Sequence, residues 1–126
     1  MVELRRAVKD FGFVGAMIPS NGLTRHVRHA EYWPIYEEAE KLNCIMAVHG
    51  GSYINLGFNT YSIFPAPRAL GMPFPLAIAL TGMMVDGVLD PSQTACRVHG
   101  GRDPWIPLVL DRVAQQLKRQ SGVQIE

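Results

Sequence analysis

The chain has 126 residues, 48% of them apolar and 18% charged, with a formal net charge of +1. That length suits one domain with its own core, and the apolar share excludes a disordered class. With so little net charge, and basic clusters no larger than Arg25/Arg28 and Lys118/Arg119, an electrostatic nucleic-acid or membrane partner is excluded.

Met1 to Arg6 opens an amphipathic helix and carries no signal-peptide core. Leu4, Ala7, Val8 and Phe11 continue at helical spacing, and Gly12 supplies a stop. Phe13 to Ile18 then reads as a buried strand, ended by the turn Pro19-Ser20-Asn21-Gly22. Pro34 suits the first turn of a second helix, whose apolar face is Ile35, Ala39 and Leu42 and whose wet face is Glu37, Glu38, Glu40 and Lys41. Cys44 to Val48 is a second buried strand and runs into His49-Gly50-Gly51.

No period is visible from Ser52 to Pro75, which reads as a long loop of the kind kept for function or loosely ordered. Leu76 to Leu89 is apolar on nearly every face and predicts a helix that something must cover. Ile106, Val109, Leu110, Val113 and Leu117 form a final amphipathic helix, with Lys118 and Arg119 in its last turn and Gly122 beyond it. Strands alternating with helices predict an α/β class with a parallel sheet of βαβ units, in a single domain over residues 1–126. Cys44 and Cys96 make no disulfide framework, and Phe74 to Val85 is shorter than the ~20 residues that cross a bilayer. The expected setting is soluble and cytoplasmic.

Reactive groups in α/β folds sit at the carboxyl ends of strands, which is where His49 falls. Neutral imidazole is the commonest metal ligand, and the glycines after it allow close approach. The alternative is a histidine that ends a strand by bonding a nearby carbonyl. His26 and His29 lie three residues apart in a polar stretch, and a surface loop explains them better than a metal pair.

Three stretches, Phe13-Val14-Gly15-Ala16-Met17-Ile18-Pro19, Trp33 to Leu42 and Ala47-Val48-His49-Gly50-Gly51, together resemble the amidohydrolase-related family. These are metal-dependent hydrolases and non-oxidative decarboxylases of the aminocarboxymuconate semialdehyde decarboxylase kind. Gly82 to Asp90 and Trp105 to Arg112 look like later segments of the same fold. The resemblance implies a (β/α)8 TIM barrel, with a divalent metal, often zinc, at its mouth. It aligns His49 with the metal ligand that ends the fifth strand. The chain would then be a partial barrel, roughly from the fourth strand to the helix after the sixth, about half of the ~250 residues a barrel needs.

Two departures from the family pattern bear on activity. No His-x-His occurs in the chain, and Asp111 lies inside the last helix rather than at a strand end. One histidine falls short of the roughly three protein ligands of a catalytic metal site. Val98-His99-Gly100-Gly101 matches a sixth-strand turn found in some members, whose histidine positions substrate or water, so His99 is a catalytic candidate. However, Ser92 to Arg97 is a poor buried strand. With permitted codons, Ser92 to Pro104 read one base later gives Pro-Lys-Leu-Arg-Val-Ala-Phe-Met-Glu-Gly-Gly-Thr, the apolar strand and Glu-Gly-Gly turn of the other type. A frame-shifted reading of the ancestral strand, bounded by two compensating slips, explains the stretch and makes the His99 match a coincidence.

The expected substrate is a small carboxylated or carbonyl compound, with Arg68 as a candidate for binding a carboxylate and Tyr53, Asn55 and Phe58 as weaker contacts. The competing expectation is a catalytically inactive remnant or interaction module. Open sheet edges and the apolar helix around Ala77 to Leu89 predict a homo-oligomer or a complementing chain as partner.

Overall fold

A computed structural model describes residues 1–50, 56–63, 65–71, 73–90 and 105–121. Helix α1, Val2–Phe11, ends as its sequence predicts: Gly12 takes a left-handed conformation at φ 70°. There the Gly12 and Phe13 N–H groups donate to the carbonyls of Val8 and Ala7. Strands β1, Gly15–Pro19, and β2, Ile45–His49, pair in parallel with Gly15 opposite Ile45 and Pro19 opposite His49. The connection between them passes through helix α2, Trp33–Lys41, which has proline in its first turn and makes the segment one βαβ unit. Asn43 supplies the left-handed turn that leaves α2, and the Cys44 N–H donates back to Ala39 at 2.9 Å.

Alternation decides which residues the sheet buries. Ile18, Met46 and Val48 point to one side and pack with Tyr36 and Ala39 of α2 and with Ala79 and Met83 further along. Fully burying a side chain of this size stabilises by about 1.5–3 kcal/mol, so this layer carries the fold. The opposite side carries Met17, 66% exposed, with Ile45 and His49 also exposed. The strands are apolar on both faces, as expected for a parallel sheet buried on both, yet the described helices cover only one. Gly15 lies so close to β2 that a Cβ there would stand 2.3 Å from the Ile45 carbonyl oxygen.

Beyond β2 a 3-10 turn covers Phe58–Thr60, and helices α3, Pro65–Gly71, α4, Pro73–Val85, and α5, Trp105–Ser121, follow. No helix among the described residues is long and apolar enough to cross a membrane.

The structure corrects the sequence reading at three places. Strand β1 starts two residues later than Phe13, and Phe13 and Val14 are exposed. Glu38 belongs to the interior, not the wet face: it is 4% exposed, and both its oxygens take hydrogen bonds from the Arg5 guanidinium of α1. The loop expected from Ser52 to Pro75 contains α3 and the first turn of α4. Arg28 is exposed, as read, and there makes a surface ion pair with Asp86 at 3.3 Å. The doubtful strand before His99 and the turn beyond it lie outside the described residues.

Candidate functional site

His49 is the last residue of β2 and stands on the uncovered face of the sheet, in line with Ile45 and Ala47 and across from Pro19. Its backbone is fixed, because its carbonyl accepts the Ser20 N–H at 2.7 Å and so extends the ladder past the strand end. Its ring Nδ1 lies 2.8 Å from the Gly50 carbonyl oxygen. A carbonyl only accepts, so Nδ1 carries the proton and donates. Nε2 is then the nitrogen with the lone pair. Of the two readings set against each other in the sequence, the carbonyl bond is the one present. One nitrogen bonds the strand-end carbonyl and the other keeps its lone pair, a tautomer that metal-bound histidines ordinarily use.

The other histidines of the described residues are engaged locally. His29 Nδ1 accepts the Glu31 N–H at 3.3 Å and caps the short 3-10 turn Ala30–Tyr32. His26 Nδ1 accepts the Arg28 N–H at 3.3 Å. Partial burial pushes the His26 pKa down, the Arg28 charge adds to that shift, and Asp86 opposes it. Neither histidine is brought to His49.

The loop from Ser20 to His29, which leaves β1 beside His49, is held from α2. Tyr36 donates its hydroxyl to the Val27 carbonyl at 2.7 Å, and Trp33 donates its indole N–H to the Arg28 carbonyl at 3.0 Å. Ser20 is a strand-end residue that the sequence reading passed over as part of a turn. Its hydroxyl is buried without a protein partner among the described residues, and it shares the parity of Ile18, on the helix side of the sheet. No signal in the sequence marks it beyond its place after the strand.

Cys44 is buried, which raises its thiol pKa, and it belongs to the core beneath β2. Phe58 is buried rather than presented to a ligand. Arg68 falls within α3, but its side chain lies outside the described residues, as do His99, Tyr53 and Asn55.

Among the described residues, no three histidine, cysteine, aspartate or glutamate side chains converge as a metal site would require. His49 by itself does not fit a catalytic metal centre. The arrangement offers one imidazole of fixed tautomer at a strand end, on the exposed face of the sheet.

The family profile described as amidohydrolase matches residues 1–118. Among curated proteins, 2-amino-3-carboxymuconate-6-semialdehyde decarboxylase of Dictyostelium discoideum is 29% identical over 113 residues, 88% of this chain. The chain spans 30% of that relative's length.

Proposed function

From the premise that the chain belongs to the amidohydrolase family, we propose that it is part of a metal-dependent hydrolase or non-oxidative decarboxylase. The substrate would be a small carboxylated or carbonyl compound. In this reading residues 1–126 form a single partial (β/α)8 barrel domain, with β1 as the fourth strand, β2 as the fifth, and the chain continuing to the helix after the sixth. The observation that carries the proposal is His49: an exposed strand-ending imidazole on the open face of a parallel sheet, with Nδ1 committed to a carbonyl and Nε2 left as the acceptor nitrogen.

Family members generally depend on a metal, and zinc is the expected ion. His49 would contribute one ligand, and the rest would come from strands this chain does not supply. No chemical step is assigned to the chain by itself. Arg68 is proposed for the substrate carboxylate. His99 is a further candidate, subject to the origin of residues 92–104. A carboxylate-binding arginine suits the chemistry because its planar fork pairs both oxygens.

A second reading, an inactive remnant or interaction module, draws support from the lack of converging ligands among the described residues and of any His-x-His in the sequence. The coding DNA on both sides separates the two. The first reading expects an in-frame His-x-His upstream and an Asp-ending strand downstream, or companion genes that carry them. Co-expressed with those pieces, the assembled protein should hold close to one divalent ion per site by elemental analysis, and His49→Ala should remove most of it. Empty flanks and no bound metal would overturn the enzyme reading and leave ancestry alone.

A further inference from the structure

Two loop residues and one helix glycine meet where the segment after β1 crosses α4. A Cβ on Gly82 would stand 2.8 Å from both His26 Cε1 and Arg28 Cδ, and 3.3 Å from His26 Nδ1. The same Nδ1 accepts the Arg28 N–H at 3.3 Å. A ring nitrogen that accepts carries no proton, so in this neutral tautomer the proton is on Nε2 and Nδ1 holds the basic lone pair. Acid can therefore charge this imidazole only at the nitrogen that faces the Arg28 N–H and lies against the helix. Once Nδ1 is protonated, two N–H groups oppose each other and the hydrogen bond has lost its acceptor.

We propose that His26 is an acid-released latch: the neutral ring closes the loop onto α4 at Gly82, and protonation at Nδ1 swings the ring out and breaks that contact. The charged groups around it favour release over a new pairing. Arg28, on the same loop, repels an imidazolium. Asp86, just past the end of α4, attracts one but is already engaged by Arg28 at 3.3 Å. The α4 residues that share a groove with His26, namely Ala77, Ile78, Thr81 and Gly82, bear no charge. That groove of about 420 Å³ gives the ring space to enter without moving the backbone.

The loop backbone is held from the other side. Tyr36 and Trp33 of α2 bond the carbonyls of Val27 and Arg28, and the His29 N–H closes a turn on the His26 carbonyl at 2.8 Å. Release therefore parts the loop from α4 and leaves it on α2. The Arg28–Asp86 pair that stays behind is exposed and contributes little. Burial pushes the His26 pKa below its ordinary value of 6.5, with Arg28 adding to the shift and Asp86 opposing it. Because the latched value is the lower one, the latch is fully closed above about pH 6.5 and opens as the pH falls through the latched value. His29 provides an internal contrast. Its Nδ1 accepts the Glu31 N–H at the same 3.3 Å, but the residue is exposed and the Glu31 carboxylate lies 4.0 Å away.

The test is NMR of the full chain between about pH 7.5 and pH 5, above the range in which Glu38 titrates. The through-space contact between His26 Hε1 and Gly82 Hα should be present at the upper end and lose most of its intensity at the lower. The Arg28 amide should shift with the same midpoint, while the Cys44 amide, bonded to Ala39 in the core, stays in place. His26→Asn keeps an acceptor that does not titrate and should abolish the Arg28 shift, whereas His29→Asn should leave it unchanged. Gly82→Ala pushes the ring off the helix and should return the His26 midpoint to about 6.5. A Gly82 contact that survives protonation of His26, an Arg28 shift that persists in His26→Asn, a His26 ring still neutral at pH 5, or a midpoint unmoved by Gly82→Ala would each overturn the proposal. A metal measurement at His49 bears on none of these, so the latch and the enzyme reading fail separately.

Discussion

The two faces of the β1–β2 sheet are built from similar residues and live in different surroundings. Ile18, Met46 and Val48 are buried under α2 and α4, whereas Met17 and Ile45, one residue away in each strand, are exposed. Residue type does not produce that difference, because both sets are apolar. Cover does. Strands of this composition are suited to a sheet buried on both sides.

Substitution can break or sharpen that contrast. The largest effect is expected from Val48→Asp, which puts a carboxylate into a fully buried position and should lower stability by about 4 kcal/mol or more, enough to unfold the chain. Met17→Asp on the other face should change stability by only about 0.5 kcal/mol in urea titrations followed by circular dichroism. In an assembly that completes the proposed barrel, Met17→Asp should become nearly as damaging as Val48→Asp. Equal effects in the isolated chain would contradict the one-sided core.

Gly15→Val comes next. Its Cβ meets the Ile45 carbonyl oxygen, part of the backbone of β2, which has no room to retreat without loss of the ladder. A loss of about 2–3 kcal/mol is expected, with faster hydrogen exchange at the Ile45 amide, which donates to Val14 at 2.9 Å.

The smallest effect concerns acid stability. The Arg5 hydrogen bond holds the Glu38 carboxyl below its ordinary pKa of 4.5, burial opposes this, and Arg5, Lys41 and Lys9 add attraction. Because the folded value is the lower one, the stabilisation is complete above about pH 4.5 and is lost as the pH falls through the folded value. Glu38→Gln should flatten the acid limb of the stability profile and leave the neutral limb parallel to that of the native chain. An unchanged acid limb would mean the pair contributes nothing measurable.

Legibility in the sequence followed the range of the forces involved. Gly12 as a helix stop, Pro34 in a first turn and the apolar strand ending at His49 are local signals, and each is found where expected. The burial of Glu38 depends on Arg5, 33 residues away, and no periodicity within α2 shows it. Helix α3 was hidden by Pro65 and Pro67, and the start of α4 by Pro73 and Pro75. Proline reads as a loop marker, yet in a first turn its missing N–H removes no helical bond. The site was legible only as far as His49. Its place at a strand end is a sequence property, whereas the division of labour between its two nitrogens depends on the fold around Gly50.

The bonds from Tyr36 and Trp33 to the carbonyls of Val27 and Arg28 have a dynamic consequence. Two consecutive carbonyls of the loop after β1 are tied to the first turns of α2, so that stretch travels with the helix as one body. Because His26 and Arg28 lie over Gly82 and Arg28 pairs with Asp86, the same stretch also clamps α2 to α4. Motion of α2 relative to α4 would have to break these ties first, so the helix layer on the covered side of the sheet responds to force as one unit.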